Sequence, residues 1–100
     1  MDATVIYWRD IPTQVIVGEG RGSAKRQLPE RFMVAVDKAA MASGGTSADD
    51  YLDDWRKVAT TAPDVDPKAA ADLLAQELEE AYPATRLADL AKHGGKEFLE

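Results

Sequence analysis

The sequence predicts an α+β fold in which a small antiparallel sheet of two or three strands packs against three or four helices. The first reason is the stretch from Thr4 to Val17, which is strongly apolar and rich in the β-branched and aromatic residues that favour strands. The second is the chain beyond Pro29, where apolar residues recur at helical spacing. The third is the length of 100 residues, which suits one domain with a modest core.

The two apolar runs at residues 4–9 and 13–18 are predicted to form the first strands. Asp10 and Pro12 favour a turn between them, and a turn tolerates proline because no backbone donor is needed there. Alternation along the first strand places apolar side chains on both of its faces. We therefore expect that both faces are covered or that one face is left for a partner.

The glycine-rich segment at residues 18–23 is predicted to be a loop, because glycine adopts backbone angles that other residues avoid. Residues 24–28 suit either a short helical turn or a loop. A third strand of the sheet would have to come from residues 19–28.

Four helices are predicted from their start and stop signals. Capping side chains and proline at the first position mark the starts, whereas paired glycines and later prolines mark the ends. The predicted helices run from Pro29 to about Ser43, from Ser47 to before Pro63, from Pro67 to about Tyr82, and from Pro83 or Thr85 to Gly94. We take residues 1–98 as a single domain and interpret Leu99-Glu100 as a cloning remnant.

The apolar faces of these strands and helices predict the hydrophobic core. It is expected to contain Val5, Tyr7, Val15, Val17, Phe32, Val36, Leu52, Trp55, Leu74, Leu78 and Leu87.

The net charge of −6 is distributed unevenly along the chain. Residues 1–43 carry six basic and five acidic side chains, whereas residues 44–100 carry six basic and thirteen acidic ones. Such an acidic chain is unsuited to general nucleic-acid binding, which depends on neutralising phosphates. The absence of cysteine excludes disulfides and thiolate chemistry. With neither a secretion signal nor an apolar run of ~20 residues, we expect a cytoplasmic protein without a membrane partner.

Two groups of residues are candidate binding sites. Trp8 and Arg9 are residue types enriched at binding hot spots, but a core tryptophan beside a surface ion pair is the favoured interpretation of Trp8-Arg9-Asp10. The glycine-rich loop is followed by basic residues near a helix start, where an anion or an acidic partner could bind. A flexible solvated connection is the alternative interpretation. The basic residues are Arg21, Lys25, Arg26 and Arg31.

No catalytic or metal-binding set stands out. His93 is the only histidine, so neither a transition-metal site nor a serine triad is expected. Asp50 and Asp54 share a helix face if the second helix forms, but such a pair is more often a solvated helix start than a cation site. We therefore predict no cofactor, no metal and no catalytic residue.

Three stretches resemble the small bacterial domain family called virulence factor. They read YWRDIPTQVIV, GRGSAKRQLPERFMVAVDKAAM and YLDDWR, and they cover about residues 4–56. Members of that family are free-standing proteins or a module within conserved virulence factor C. The resemblance implies a small non-catalytic module and supplies no site residues.

Two functional hypotheses follow. The first is an interaction or accessory module that docks on a protein partner through Trp8, Arg9 and the basic segment 21–31. The second is an enzyme or small-anion binder that uses the glycine-rich loop and its arginine and lysine cluster. A concave pocket with converging donors would favour the second, and a flat exposed apolar surface would favour the first.

Overall fold

The computed structural model describes residues 1–18, 22–42 and 52–95, and it confirms the α+β class. Four strands and three helices lie within these residues. In chain order they are β1 (Asp2–Trp8), β2 (Ile11–Val17), β3 (Ala24–Gln27), α1 (Glu30–Ala42), β4 (Trp55–Thr61), α2 (Pro67–Ala81) and α3 (Ala84–Lys92).

The strands form one antiparallel sheet in the order β3-β2-β1-β4. The third strand is β3, and it lies within residues 19–28, the segment from which a third strand would have to come. The interpretation of residues 24–28 as a helical turn or a loop was wrong, because Ala24–Gln27 pair with β2. The predicted total of two or three strands is one too few, because β4 pairs with β1 along its whole length, from Asp2 opposite Thr61 to Trp8 opposite Trp55.

The second predicted helix is wrong over residues 55–61, which form β4. Leu52, Trp55, Val58 and Ala59 recur at helical spacing, and this spacing produced the error. The segment also contains Val58, Thr60 and Thr61, whose branched β-carbons favour strands. β1 has one edge that β2 does not cover. Its backbone groups there pair with residues 55–61, and this pairing favours a strand over a helix. The expected cap at Ser47 lies outside the described residues.

The turn between β1 and β2 is shorter than predicted. It contains only Arg9 and Asp10, and Pro12 lies inside β2 rather than in the turn. Arg9 takes a left-handed backbone conformation, with φ of 55°, as two-residue hairpin turns require.

A β-bulge next to this turn explains why β2 tolerates a proline. The register shifts between Ile6, which lies opposite Gln14, and Tyr7, which lies opposite Pro12, so Thr13 has no partner across the strands. The Thr13 hydroxyl donates to the Ile6 carbonyl oxygen at 2.9 Å, and the Thr13 carbonyl accepts from the Leu28 amide at 3.0 Å. The bulge therefore keeps its polar groups satisfied and joins β2 to the segment before α1.

The starts of α1 and α2 and the end of α3 agree with their sequence signals, whereas the stop predicted for α1 at Gly44-Gly45 lies outside the described residues. Pro29 precedes α1, and the Asp66 carboxylate caps α2 by accepting from the Ala69 amide at 3.3 Å. After α3, Gly94 and Gly95 have positive φ angles of 69° and 85°, and the Gly95 amide donates to the Leu90 carbonyl oxygen at 2.7 Å. This arrangement closes the helix as glycine-terminated ends do.

The helices bury one side of the sheet. Both α1 and α2 contact β2, α2 also contacts β3, and α3 packs against α1. Seven predicted core residues are buried, namely Val5, Val15, Val17, Phe32, Val36, Leu74 and Leu87.

Four other predicted core residues are less buried. Tyr7, Trp55 and Leu78 are half-buried at the margin of the core. Leu52 is 64% exposed, so its assignment to the core was wrong. The error has the same cause as the misassigned helix, because the chain leaves the helical conformation after Asp53 and the expected apolar face does not continue.

Candidate functional site

Trp8 lies in the hydrophobic core with no exposed surface. It ends β1 opposite Trp55 and is followed at once by the turn residues Arg9 and Asp10. Gly95 approaches the indole so closely that a β-carbon there would lie 2.9 Å from Trp8 Cζ3. The indole is therefore covered by the chain that follows α3.

Arg9 holds three parts of the chain together. Its Nε donates to Asp54 Oδ2 at 2.8 Å, and another guanidinium nitrogen donates to the Gly94 carbonyl oxygen. The guanidinium carbon lies 4.5 Å from the centroid of the Trp8 ring, within the range of a cation–π contact. The Arg9 amide also donates to the Asp54 carbonyl oxygen at 3.0 Å. With 15% of its side chain exposed, Arg9 is committed to these internal contacts.

Asp10 extends the same set of contacts. Its amide donates to the Gly95 carbonyl oxygen at 2.8 Å, and its carboxylate pairs with Arg56 at 3.2 Å. Arg56 Nε in turn donates to the Arg9 carbonyl oxygen at 3.0 Å, and its guanidinium lies 5.2 Å from the Tyr7 ring. We call the group of Trp8, Arg9, Asp10 and their contacts at residues 54–56 and 94–95 the hairpin clasp.

Trp8 is a core residue, as the second interpretation expected, but the ion pairs beside it join Arg9 to Asp54 and Asp10 to Arg56. Sequence reasoning missed the partners Asp54, Arg56 and Gly95. The glycine was recognised only as a helix stop, and the other two were placed on a helix. Nothing in the local pattern pairs residue 9 with residue 54, since the two are 45 positions apart.

The basic segment does not gather into one cluster. Lys25 and Arg26 are neighbours on β3, so their side chains leave opposite faces of the sheet. Lys25 lies opposite Ile16, is exposed, and has no ion pair with any described residue. Arg26 lies opposite Val15 on the face covered by α2, and it pairs with Asp72 at 3.3 Å. Arg21 lies outside the described residues.

Arg31 belongs to a different surface from Lys25 and Arg26. It is exposed near the start of α1, where it donates to the Glu79 carbonyl oxygen at 3.3 Å. Its guanidinium also lies 5.0 Å from the centroid of the Phe32 ring. Arg26 and Arg31 therefore both contact α2, at Asp72 and Glu79, whereas Lys25 leaves the opposite face of the sheet, so the three described cations do not converge on one anion-binding centre.

Concave regions among the described residues include a groove of about 160 Å³ between α1 and α3 and a depression of about 400 Å³ on the sheet beside Trp55. No buried side-chain nitrogen or oxygen of the described residues lacks a hydrogen-bond partner. The same residues contain no group of three or more histidine or acidic side chains placed to hold a metal ion.

The sequence matches the model of the family described as Virulence factor over residues 6–91. The chain belongs to the virulence factor family. The match begins within β1 and ends within α3, so every strand and helix described above contributes to the virulence factor domain. It contains both the hairpin clasp residues 8–10 and the basic segment, and it continues to residue 91, past the C-terminal end of the stretches within residues 4–56 that resemble the family. Searches of curated proteins and of solved structures found no match.

Within the described residues, no helix of the virulence factor domain is both long enough and apolar enough to cross a membrane.

Proposed function

We propose that this virulence factor domain is a non-catalytic interaction module that docks through the basic segment exposed on β3. The supporting observation is a difference in exposure between two of the stretches that resemble the family. Trp8 and Arg9 are used inside the hairpin clasp, whereas Lys25 and Arg26 remain on the surface. The hairpin clasp then serves as the frame, and β3 serves as the contact surface.

The position of β3 suits an extended acidic segment of a partner protein. Among the described residues, β3 pairs only with β2, so its other edge has backbone groups available for a further strand. Addition of a strand supplies affinity through backbone hydrogen bonds, and side chains at successive positions supply specificity. Acidic residues at neighbouring positions of the added strand would meet Lys25 on one face and Arg26 on the other.

The existing ion pair of Arg26 does not prevent this docking. Arg26 and Asp72 are each about half exposed, and pairs of that kind contribute little to stability. An incoming carboxylate can therefore share the Arg26 guanidinium at low cost.

Crosslinked capture from the organism of origin tests the proposal. The wild-type domain is compared with Lys25→Gln/Arg26→Gln and with the control Lys57→Gln/Lys68→Gln, which removes two exposed charges elsewhere. We expect the wild type and the control to retain a common partner that the first variant loses. Retention of the same partner by all three proteins would contradict docking through β3. Urea titration verifies that all three are folded.

The alternative of a small-anion binder or enzyme needs cations that converge. Lys25 and Arg26 leave opposite faces of β3, and Arg31 contacts Glu79 and Phe32 instead. The described residues therefore give this alternative no specific support.

A further inference from the structure

The groove between α1 and α3 has a regular construction. Each helix contributes four residues at positions i, i+3, i+4 and i+7, which place side chains along one face. The lining residues are Arg31, Val34, Ala35 and Lys38 from α1, and Ala84, Leu87, Ala88 and Ala91 from α3. One face of each helix therefore borders the groove.

The centre of the groove is apolar and can hold one side chain. Ala35, Leu87 and Ala91 are buried and form its floor, whereas Val34 is 40% exposed at its side. Alanine at four of the eight lining positions leaves space that larger residues would fill. The volume of about 160 Å³ is close to the ~150 Å³ of a cavity that binds benzene, so a leucine or phenylalanine side chain fits.

The two ends of the groove on α1 are positively charged. Arg31 and Lys38 are seven positions apart, which corresponds to about 10.5 Å along a helix. Lys38 is exposed and has no ion pair with any described residue, and Arg31 contacts only a carbonyl oxygen and a ring in that part of the chain. Exposed Asp37 and Asp89 are on the same helices but outside the lining, at about 60° from Val34 and about 100° from Ala88 around their helix axes.

The local charge is opposite to that of the whole chain. The chain has eighteen acidic and twelve basic side chains, yet the groove is lined by two basic residues and no acidic one. A partner with carboxylates beside an apolar residue would be attracted by these charges and would fill the space between them.

We propose that the groove binds an acidic amphipathic helix of a partner protein. One apolar side chain of that helix enters the cavity, and two carboxylates seven residues apart pair with Arg31 and Lys38. The equal rise of the two helices keeps the carboxylates in register with the cations. This inference rests on the proposed function as an interaction module, but it uses residues other than those of β3.

The acidic helix of a second copy fits the groove less well. On α2, Leu73 is 47% exposed, and the acidic residues Glu77 and Glu80 follow it. One turn before Leu73 the exposed residue is Ala69, so this helix offers no carboxylate to one of the two cations. The α2 helix of a second copy therefore matches the groove poorly. Exposed Glu30, Val34 and Asp37 on α1 do have the required spacing, so a second copy docking through α1 is the competing occupant, and the oligomeric state tests it.

A designed peptide tests the inference directly. The probe is a fluorescein-labelled, alanine-rich helical peptide that contains Glu, three spacer residues, Leu, two spacer residues and a second Glu. We expect saturable binding by fluorescence anisotropy at low salt. Replacing both glutamates by glutamine should weaken binding by roughly tenfold, because the ion pairs with Arg31 and Lys38 are lost. Replacing the leucine by serine should weaken it by a similar factor, because the apolar side chain no longer fills the groove.

Protein variants locate the binding on the groove. Arg31→Gln/Lys38→Gln should lose about fivefold in affinity at low salt, and the loss should shrink as salt rises. Ala88→Leu fills the groove from its exposed rim and should lose roughly tenfold at every salt concentration, because its effect is steric. The control Lys57→Gln/Lys68→Gln should bind as wild type.

The following outcomes would overturn the inference. One is the absence of saturable binding, and another is equal binding of the peptide without glutamates. A third is unchanged binding by Ala88→Leu, which would place the peptide elsewhere. A dimer in sedimentation velocity that Ala88→Leu dissociates would assign the groove to a second copy.

The same experiments test docking through β3 independently of the groove. If Lys25→Gln/Arg26→Gln loses the captured partner but still binds the peptide, both surfaces operate independently. If the groove variants bind the peptide normally while β3 variants lose the captured partner, only the groove inference is overturned.

Discussion

Gly95 lies so close to the Trp8 indole that there is no room for a β-carbon at position 95. A β-carbon at position 95 would lie 2.9 Å from Trp8 Cζ3 and 3.2 Å from Cε3, distances that real β-carbons avoid. Gly95 also has a φ of 85°, which is costly for any residue with a side chain. Only glycine therefore meets both requirements of the hairpin clasp.

Gly95→Ala should destabilise the domain by about 2–4 kcal/mol, because it combines a disfavoured backbone angle with overpacking against a buried indole. Gly22→Ala is the matched control, since a β-carbon at Gly22 meets nothing within 4 Å. The control should change stability by less than about 0.5 kcal/mol in urea titration. Equal effects of the two substitutions would mean that position 95 can move away from Trp8.

Arg9 combines a positive φ with three side-chain contacts, and substitutions separate these contributions. Arg9→Ala should cost about 2–3 kcal/mol through the lost contacts with Asp54, Gly94 and Trp8. Arg9→Gly should be less damaging than Arg9→Ala by about 0.5–1 kcal/mol, because glycine accepts the φ of 55°. Arg9→Lys keeps the charge but lacks the planar fork, so its stability should lie well below wild type. Thermal and urea unfolding of the three variants measure the differences in stability. If Arg9→Lys is as stable as wild type, the planar guanidinium group is not needed for these contacts.

The two tryptophans should contribute unequally to stability. Trp8 is completely buried, so Trp8→Ala should cost about 3–5 kcal/mol. Trp55 is half-buried on an edge strand, and Trp55→Ala should cost only about 1–2 kcal/mol. The helix predicted from the sequence would have made Trp55 the larger contributor. Urea titration of both variants decides between these rankings.

Asp64 should titrate below the ordinary aspartate value of 3.8. A hydrogen bond from the Met1 ammonium at 2.7 Å lowers the pKa of this carboxyl, and the positive charge lowers it further. A lowered pKa in the folded state means that the contact stabilises the fold above the unfolded value and is lost as the pH falls through the folded value. The carboxyl is fully exposed, so the effect on stability is small.

The Asp64 prediction is measured by NMR titration of that carboxyl in the native chain and after acetylation of the Met1 nitrogen. Acetylation removes the charge and should return the midpoint towards 3.8. An unchanged midpoint after acetylation would refute the role assigned to the ammonium group.

Signals confined to a few residues were sufficient to predict several elements. Pro29, the Asp66-Pro67 pair and the paired glycines after α3 each act through the backbone of their own turn, so neighbouring sequence specifies them. The strand β4 was missed because its partner β1 is remote in sequence. Its helical spacing was visible, whereas its pairing with β1 was not.

The candidate site was predictable in its residue types but not in their placement. Both faces of β1 are apolar, so alternation did not decide whether Trp8 is a core or a surface residue. The four residues of β3 are too few to show a period, and their conformation decides that Lys25 and Arg26 diverge. The α1–α3 groove depends on how two distant helices pack, which no local pattern contains.

The position of β1 between β2 and β4 also imposes an order of folding. The hairpin of β1 and β2 needs only a two-residue turn, whereas β4 pairs with β1 only after a much longer loop has closed, as the separation of 45 residues between Arg9 and Asp54 shows. Closing the longer loop costs more chain entropy, so the hairpin forms first. On the ribosome, one edge of a strand rich in valine, isoleucine and aromatic residues stays open until Thr61 has emerged. During that interval nascent chains are most prone to pair with one another, and slower synthesis of residues 18–61 would prolong their exposure to aggregation.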